Sequence, residues 1–526
     1  MRAAAAAGHE VTARTAADVL ERGGNAVDAT VAAAAMSWAA EPGLISPCGG
    51  GFLLVRPART RKLHLLDAFT TIPGRDLGAD RALVEFDRVE VPFDERTTQV
   101  FQIGAAPFAV PGVIAGLATV HGRFGSQPWH DLLMPAAAAA NAGVATTSGQ
   151  QAVLRAIQVV LEHTPEARAV FAPEGRFVRE GERVRQADLA GTIERLAELG
   201  ARDFYDGGLA TAMVDHQAVT GGRLTMADLA GYRAVWRRPL RVPYHGGREI
   251  VTNPPPSSGG VLIAHMLSVL RGVPGPLPPG RARTLRAYAE AMRAAARMRD
   301  RRFEQLLHRG GLSRHMLADE AVARGRAAVE AALEGEPSVA PALSSDHGTT
   351  HISVVDADGN ACAFTSSNGC HSGVIVPGTG LHLNNMMGEE DLAAGRGMPP
   401  GTRLTSMQSP TMVVGPGGIE LVVGSSGSNR LRSAVMQVAI NTIDHGMSAA
   451  EAINHPRVHV EGGRLDCEGG FDPVEIDALE QWGENVNRFQ GLNLYFGGAN
   501  AVLIRSGRTD AAGDPRRGGA GIVVDS

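Results

Sequence analysis

The sequence contains almost no lysine. Lys62 is the single lysine among 50 basic residues, and all the others are arginine. A phosphate-binding loop of the G-x-x-x-x-G-K type is therefore excluded, because no glycine directly precedes a lysine. Schiff-base and pyridoxal chemistry would rest on Lys62 alone. Its surroundings, RKLHLLDAF, alternate as a strand does and contain no other candidate site residue.

Long hydrophobic runs are also absent. None reaches the roughly 18 residues that a membrane-spanning helix needs. The longest candidate, residues 27–40, is alanine-rich and contains Asp28, Thr30 and Ser37, which predicts a buried core helix. The N-terminal stretch MRAAAAAGHEVTARTAADVL is too weakly hydrophobic for a signal peptide. We therefore expect a cytoplasmic protein, and the net charge of −5 gives no reason to expect a nucleic-acid or membrane partner.

Cysteine is rare, and the spacing of its few residues matches no metal-binding or redox motif. The four cysteines are Cys48, Cys362, Cys370 and Cys467. We expect them to be buried and unpaired. His351, His371 and His382 lack a metal-ligand spacing too, and we expect them to be structural or to face the substrate. The sequence thus predicts no metal and no cofactor.

What the sequence does contain is an alternation of helical and strand-like segments, punctuated by 65 glycines. This alternation favours an α/β layered architecture. Residues 12–42 predict two helices with a Gly-Gly-Asn break between them, and residues 48–69 predict a pair of strands. Beyond residue 341 the pattern is mostly strand-like, with helices expected at 432–445 and 449–454. No linker is long enough to predict independent domains.

One stretch of the second part is SSDHGTTHISVVDADGNACAFTSSNG, residues 344–369. Its two β-branched, alternating runs flank a D-A-D-G-N turn, so Thr349 and Thr350 are predicted to open a β-hairpin. If the chain is cut between Gly348 and Thr349, Thr349 carries a free α-amino group beside its own hydroxyl. That amine has an ordinary pKa of about 8, so it can act as a general base for the hydroxyl. An ordinary strand start is the alternative, because threonine is common in strands.

A nucleophile of this kind also needs hydrogen-bond donors for the oxyanion that develops during attack. Residues 422–430, VVGSSGSNR, form a turn of small residues after a predicted strand. The backbone N–H groups of Gly427 and Ser428 are the candidate donors. A purely structural turn is the alternative here, as it is for the glycine-rich CGGGF at residues 48–52.

Several stretches occur in the order seen in γ-glutamyltransferases. They are GGNAVDATVAAA, PCGGGFLLV, VPGVIAGLATVHGRFG, GGRLTMADLAGYRA, NPPPSSGG, TTHISVVDADGN, LTSMQSPTMVV and GSSGSNR. The sequence resembles this family over almost its whole length, most specifically in TTHISVVDADGN and PPPSSGG. The resemblance implies an N-terminal-nucleophile hydrolase with a four-layer αββα core and a small-molecule substrate. It also implies a precursor that cleaves itself into a large subunit, residues 1–348, and a sheet-rich small subunit, residues 349–526, which stay together.

The resemblance assigns catalytic roles by position. Thr349 corresponds to the nucleophile, Ser367 after a one-residue gap to a threonine bonded to it, and Asn368 to the asparagine that follows. Gly427 and Ser428 correspond to a two-residue oxyanion hole in which serine replaces the second glycine. Because only backbone N–H groups are required there, we expect the hole to survive the replacement.

On the substrate side the sequence keeps less of the family pattern. Thr405 and Ser406 correspond to a serine pair that holds the donor's α-carboxylate. Phe69 stands in place of an arginine that grips the same carboxylate, Met386 in place of a glutamine, and Glu389 in place of an aspartate that binds the α-amino group. An arginine–carboxylate contact is worth about 1.5–3 kcal/mol, and phenylalanine cannot make it. We therefore expect a more hydrophobic or ring-bearing acyl group.

Three functions are compatible with these residues. The first is a self-processing hydrolase or acyltransferase with a Thr349 acyl-enzyme and altered γ-glutamyl specificity. The second, known for some proteins that resemble this family in antibiotic pathways, is a C–C hydrolase that removes an oxalate-like unit from a pyrroline precursor. The third is an inactive scaffold that never cleaves. A separate alternative is that the missing arginine lies elsewhere, for example in residues 75–103, which match nothing in the family.

Overall fold

The computed structural model describes residues 1–77, 86–92, 98–335, 349–389 and 398–525. Two β-sheets lie at its centre. The strands, in chain order, are β1 (Ala4–Ala7), β2 (Gly50–Arg56), β3 (His64–Ala68), β4 (Asp87–Pro92), β5 (Thr98–Ile103), β6 (Val144–Ala145), β7 (Arg183–Val184), β8 (Val235–Arg237), β9 (Leu240–Tyr244), β10 (Arg248–Thr252), β11 (Thr350–Val355), β12 (Ala361–Ser367), β13 (Ile375–Val376), β14 (Leu381–His382), β15 (Thr411–Gly415), β16 (Gly418–Ser426), β17 (Val458–Glu461), β18 (Arg464–Cys467), β19 (Val486–Arg488), β20 (Gly498–Arg505), β21 (Arg508–Ala512) and β22 (Ala520–Val523).

Helices cover the outer faces of both sheets. In chain order they are α1 (Glu10–Glu21), α2 (Ala26–Ala40), α3 (Val113–Phe124), α4 (Trp129–Ala142), α5 (Ser148–Ala156), α6 (Gln158–Leu161), α7 (Pro165–Phe171), α8 (Ala187–Leu199), α9 (Arg202–Asp206), α10 (Gly208–Thr220), α11 (Met226–Ala230), α12 (Gly259–Leu270), α13 (Ala282–Arg297), α14 (Arg301–Arg309), α15 (Leu312–Met316), α16 (Asp319–Leu333), α17 (Arg430–Ile443), α18 (Ala449–Asn454) and α19 (Pro473–Gln481).

The first sheet has seven strands in the order β22-β1-β11-β12-β2-β3-β8, and the second has six in the order β21-β20-β16-β15-β10-β9. Strand β2 contributes side chains to the apolar clusters on both faces of the first sheet. Phe52 and Leu54 pack into the apolar cluster between the sheets, whereas Leu53 and Val55 pack into the cluster under the helices. This division follows from the two-residue period of a strand, which sends successive side chains to opposite faces.

The layers stack as helix, sheet, sheet, helix. Helices α1 to α3 pack on the outer face of the first sheet, with α4 packed against α2, and α12 and α17 pack on the outer face of the second sheet. Because each sheet is buried on both faces, its strands are nearly continuous apolar runs, such as GGFLLVR in β2. The predicted four-layer αββα fold is confirmed.

Both sheets are assembled from both parts of the chain. In the first sheet β1 lies between β11 and β22, and β2 pairs with β12. In the second sheet β10 pairs with β15. The two proposed subunits, residues 1–348 and 349–526, would therefore share one fold rather than form two domains. The division itself stays a prediction.

Most local predictions from the sequence are confirmed. Helix α2 is buried along its whole length, and Asn25 and Asp28 form a capping box at its start, directly after the predicted break. All four cysteines are buried and free. One local prediction was wrong, since β3 begins at His64 and Lys62 is exposed in the loop before it. In the part of the chain that the structure describes, no helix is long and apolar enough to cross a membrane.

Candidate active site

The β11–β12 hairpin brings the candidate nucleophile to one end of the two sheets. Thr350 pairs with Ser366 across the hairpin, which puts Thr349 opposite Ser367. The strand itself begins at Thr350, one residue later than predicted. Thr349 is 3% exposed and Ser367 4% exposed, so both hydroxyls lie in a nearly dry environment. The Ser367 hydroxyl accepts a hydrogen bond from the Gly369 N–H at 2.9 Å, which fixes its orientation.

A small cavity lies beside Thr349. The residues that line it are Phe69, Thr349, Ser367, Met386, Glu389, Ser406, Met407, Gln408, Ser428 and Leu431. Seven of the ten were predicted site residues, although they come from five separate stretches of the chain. The cavity measures about 30 Å³, which is enough for a water molecule or two. Met386 and Met407 are the flexible side chains of its lining.

The turn after β16 contributes Ser428 to the lining of the cavity, whereas Gly427 does not line it. Gly427 has φ +106° and Ser428 has φ +55°, and both precede the N-terminus of helix α17. A Cβ at Gly427 would lie 2.7 Å from the Gly497 backbone, so only glycine fits there. Serine is uncommon in the left-handed region, and such strain is often retained where a backbone group has a function. The position at a helix N-terminus favours negative charge beside this turn.

The stretch that contains Thr405 and Ser406 is held by the PPPSSGG loop. The Ser406 carbonyl accepts hydrogen bonds from the Ser258 N–H at 2.8 Å and from the Ser257 hydroxyl at 3.0 Å. A Cβ on Gly259 would lie 2.0 Å from the Met407 carbonyl oxygen, so the glycine permits this close approach. The sequence motif therefore acts by supporting the cavity wall. Ser406 lines the cavity and Thr405 does not.

Phe69 forms the apolar side of the cavity together with methionine. Its ring stacks on that of Phe52, with centroids 5.6 Å apart, and it is 1% exposed. Met386 is 2% exposed and belongs to the same apolar cluster between the sheets. We call Phe69, Met386, Met407 and Leu431 the acyl side of the cavity, and Thr349, Ser367 and Ser428 the nucleophile side.

Glu389 is the charged residue of the cavity. One of its carboxylate oxygens accepts a hydrogen bond from the Cys370 N–H at 3.2 Å. The same N–H donates to the Asn385 side chain at 2.9 Å, which ties Glu389 to the loop after β12. None of the described residues that line the cavity is cationic. A carboxylate in this position favours hydrogen-bond donors and disfavours a substrate carboxylate nearby.

The missing arginine is not found in the described part of residues 75–103. Arg75 and Arg88 are the described arginines of this segment, and neither lines the cavity. Residues 78–85 and 93–97 lie outside the described residues. Arg403 comes near Phe69, but its guanidinium donates to the Phe69 carbonyl and to the Tyr232 hydroxyl and does not line the cavity.

Asn368 does not line the cavity either. Its side-chain nitrogen donates to His371 Nδ1 at 2.7 Å and to the His382 carbonyl at 3.1 Å, and its oxygen accepts from the Ser46 hydroxyl at 3.0 Å. The histidines stack with ring centroids 4.1 Å apart and are fully buried in this network. Asn368 thus shapes the loop after β12. Its assignment as a catalytic residue stays a prediction.

Behind Thr349 lies a buried carboxyl group that the sequence analysis missed. Glu41 follows α2, is fully buried, and accepts hydrogen bonds from the hydroxyls of Thr350 and Thr12. Burial raises the pKa of Glu41 to about 7, while the two hydroxyl donors act in the opposite direction. The Glu41–Thr350 bond anchors the first residue of β11, and so it fixes the strand end that carries Thr349.

Met407, Gln408 and Leu431 were also missed. Ser406 and Gln408 are two residues apart, so in an extended chain both point to the same side, and this spacing was the available signal. The Gln408 amide nitrogen donates to the Gly50 carbonyl at 3.3 Å, while its Oε1 is buried without a hydrogen-bond partner. An unsatisfied acceptor at the edge of a cavity suits a substrate N–H or O–H group.

The remaining predictions fall partly outside the described residues. Gly348, on the other side of the expected cleavage point, is one of the residues that the structure does not describe. Within the described ranges, no group of three histidine, cysteine, aspartate or glutamate side chains is arranged to hold a metal ion.

Comparison with known proteins agrees with this geometry. A sequence model described as gamma-glutamyltranspeptidase matches residues 12–524. The chain belongs to the gamma-glutamyltranspeptidase family. Family membership is consistent with the convergence of the β11–β12 hairpin, the turn at Gly427 and Ser428, and the stretch around Ser406 at one end of the two sheets. It also establishes the chain as an enzyme fold of the N-terminal-nucleophile type.

Relatives in this family carry different names. The Acylase ACY 1 proenzyme of Pseudomonas sp. (strain V22) is 34% identical over 508 residues, which cover 94% of this chain and 88% of that protein. The Glutathione hydrolase proenzyme of Escherichia coli (strain K12) is 31% identical, with 95% of this chain and 88% of that protein covered. The crystal structure of cephalosporin acylase from Bacillus halodurans matches with a TM-score of 0.84 and 25% identity, covering 100% of this chain and 96% of that one.

Proposed function

We propose that the protein is a self-processing hydrolase or acyltransferase that forms a covalent acyl-enzyme on Thr349, with an acyl group more hydrophobic than γ-glutamyl. The observation that carries the proposal is the composition of the cavity. Thr349 lies in it beside Ser428, and its described lining includes Phe69, Met386 and one carboxylate but no cation. A γ-glutamyl group has a carboxylate that would be left without a positive partner here.

In the proposed reaction Thr349 supplies both the general base, which is its α-amine, and the nucleophile, which is its hydroxyl. After cleavage behind Gly348, the α-amine takes the proton of the Thr349 hydroxyl while the oxygen attacks the substrate carbonyl. The backbone N–H groups of Gly427 and Ser428 stabilise the resulting oxyanion. The amide C–N bond then breaks, the leaving amine receives the proton, and the acyl group stays on Thr349 as an ester. Water repeats the attack and releases the acid, or an acceptor amine takes the acyl group instead.

Self-cleavage is the first step of this proposal. The Thr349 hydroxyl would attack the Gly348 carbonyl, and the C–N bond between the two residues would then break, which frees the α-amine and leaves Gly348 as an ester on the Thr349 oxygen. Water would hydrolyse that ester, releasing the Gly348 carboxylate and restoring the Thr349 hydroxyl. Two relatives are called proenzymes, which supports processing of a single precursor. The interleaved strands support subunits that remain together after the cut.

The substrate class is supported by two independent observations. The acyl side of the cavity is apolar, with Phe69 and Met386 where the γ-glutamyltransferase pattern has arginine and glutamine. The relative with 34% identity is named an acylase, and so is the protein in the structural match with a TM-score of 0.84. We therefore propose an amide substrate with an aliphatic or ring-bearing acyl group, whose N–H or O–H groups meet Glu389 and Gln408.

Intact-mass spectrometry of the purified protein and of Thr349→Ala tests the nucleophile. The wild type should give two chains that break between Gly348 and Thr349, and the variant should give one uncut chain. Thr350→Ser is the matched control, because it keeps a hydroxyl that can donate to Glu41 and should still be cut. An uncut wild type would overturn the proposal and favour an inactive scaffold.

Acyl p-nitroanilides test the substrate class once cleavage is established. Hexanoyl, phenylacetyl and γ-glutamyl anilides share one leaving group, so differences in kcat/KM report on the acyl side alone. We expect the hexanoyl or phenylacetyl compound to exceed the γ-glutamyl compound by about tenfold or more. A preference for γ-glutamyl would contradict the specificity claim but leave the acyl-enzyme intact.

The C–C hydrolase of antibiotic biosynthesis is the second candidate, and the same missing cation favours it. Such an enzyme keeps Thr349 as nucleophile and breaks a carbon–carbon bond beside the attacked carbonyl. A protein that cleaves itself normally but hydrolyses none of the three anilides would favour this candidate over the amidohydrolase.

A further inference from the structure

A second and larger cavity lies at the opposite end of the two sheets. Strand β2 begins at Gly50, which pairs with Ser367, and ends at Arg56, which lines this second cavity. At about 3.3 Å per residue, the two ends of the strand are roughly 20 Å apart. The cavity measures about 620 Å³, a size typical of small-molecule sites. We call it the arginine cavity.

Four arginines line this cavity and two carboxylates oppose them. The charged lining residues are Arg56, Arg61, Arg248, Arg505, Asp358 and Glu420. Arg248 is paired, since its Nε donates to the Glu420 carboxylate at 2.6 Å. Arg505 donates to the Gly446 carbonyl at 2.6 Å, which uses part of its hydrogen-bonding capacity. A carbonyl does not neutralise a charge, so the surplus positive charge lies on Arg56, Arg61 and Arg505.

Arg56 is the residue that most needs a partner. It is 6% exposed, and its Nε is buried without a hydrogen bond. In the described ranges no carboxylate lies within ion-pair distance of its guanidinium. Burial and the nearby positive charge of Arg61 both lower the pKa of Arg56, because they disfavour its charged form. A buried cation without a counter-charge is unfavourable, and a bound anion would remove that penalty.

Part of the lining is apolar. Ile419, Ile443 and Ile504 contribute side chains to the cavity alongside the arginines. Inorganic ions alone would leave these surfaces in contact with water. A ligand with an anionic group and an apolar body matches both parts of the lining.

We propose that the arginine cavity binds a small organic anion whose carboxylate or phosphate is held by Arg56 and Arg61. Its apolar body would contact the three isoleucines. Guanidinium groups bind either oxyanion through paired N–H donors, so the structure assigns the shared chemistry of the two groups. The site is separate from the cavity beside Thr349, and the proposal does not depend on the reaction proposed there.

Isothermal titration calorimetry at constant ionic strength tests the site with phenyl phosphate and benzoate. These probes share an aromatic ring and differ in the oxyanion. We expect saturable binding of at least one probe to the wild-type protein. Arg56→Met and Arg61→Gln should each weaken it by about tenfold or more, because a charge-assisted pair is lost. Arg59→Gln is the control, since Arg59 is exposed on the same loop and does not line the cavity.

Each outcome of the titration either supports or overturns the proposed anion site. Binding of phenyl phosphate alone assigns the site to phosphorylated ligands, binding of benzoate alone assigns it to carboxylates, and both support it. No saturable binding, or equal weakening in Arg59→Gln, overturns it. Arg56→Met should also raise the Tm of the ligand-free protein, because an unpaired buried charge is removed. If Arg56→Met does not fold, Arg61→Gln decides, and an unchanged Kd in that variant overturns the proposal.

Discussion

The nucleophile side of the cavity depends mainly on the position of the backbone, whereas the acyl side depends on side chains. On the nucleophile side the decisive groups are the strand end at Thr349 and the backbone of the turn at Ser428, which follows Gly427. On the acyl side they are side chains such as Phe69 and Met386. Backbone groups keep their positions as long as the fold is kept, whereas side chains change with each substitution. A family can therefore retain one reaction while its members accept different acyl groups.

The comparison predicts that the nucleophile side tolerates almost no change. Gly427→Ala should lower kcat by about 100-fold or more, because the added Cβ meets the Gly497 backbone and displaces an oxyanion donor. Steady-state kinetics with the best anilide substrate measures this. Gly191→Ala is the control, since a Cβ there has open space, and its kcat should be unchanged. A Gly427→Ala variant with normal kcat would show that the turn is only structural.

The contribution of Glu41, the buried carboxyl group behind Thr349, to the stability of the fold should depend on pH. The pKa of Glu41 is raised from 4.5 to about 7 in the folded protein, so its stabilising contribution is complete below pH 4.5 and is lost as the pH rises through 7. The free energy of unfolding should fall by about 3 kcal/mol over this window. Urea denaturation of the uncut Thr349→Ala protein at several pH values measures the change.

Glu41→Gln in the same uncut background is the control for that measurement. Its side chain does not titrate, yet it can still accept from Thr12 and Thr350. The pH dependence between 4.5 and 7 should therefore disappear from this variant. If both proteins show the same slope, another group is responsible for it.

A substitution on the acyl side should change the substrate preference of the enzyme, whereas a substitution on the nucleophile side should abolish most of its activity. Phe69→Arg places a cation beside the cavity and should shift kcat/KM toward the γ-glutamyl anilide, relative to the hexanoyl anilide, by about tenfold. Phe69→Leu keeps the wall apolar and should leave the preference unchanged. Equal ratios in wild type and Phe69→Arg would show that residue 69 does not contact the acyl group.

The smallest effect is expected for a conservative change on the acyl side. Met386→Leu keeps the volume and polarity nearly constant, so stability should fall by less than about 1.5 kcal/mol. We expect kcat to stay within about threefold, with any change appearing in KM. Thermal denaturation and kinetics on the hexanoyl anilide check this. A large fall in kcat would mean that Met386 positions the reacting carbonyl, and the division between the two sides would then be wrong.

The same division explains what the sequence could predict. The hairpin, the oxyanion turn and the layered fold follow from local patterns, such as the alternation in HISVV and the capping box at Asn25. Glu41 was missed because its partner Thr350 is more than 300 residues away, and the two meet only where α2 packs on β11. Gln408 was missed because its unsatisfied oxygen is a property of packing. The two-residue spacing from Ser406 indicates that the Gln408 side chain can point to the same side, but the missing hydrogen bond depends on tertiary structure.

The interleaving of β1 between β11 and β22 has a consequence for refolding. In an uncut chain every strand partner is supplied by the same polypeptide, and refolding is a first-order process. If the chain is cut between Gly348 and Thr349 as proposed, two polypeptides would have to meet before either sheet can close, so the rate of refolding would depend on concentration and would compete with aggregation through unpaired strand edges. The lifetime of the cleaved enzyme would then be set by its rate of unfolding, and unfolded protein would not refold. Self-cleavage would thus create the catalytic α-amine of Thr349, and the cleaved protein would lose the ability to refold after denaturation.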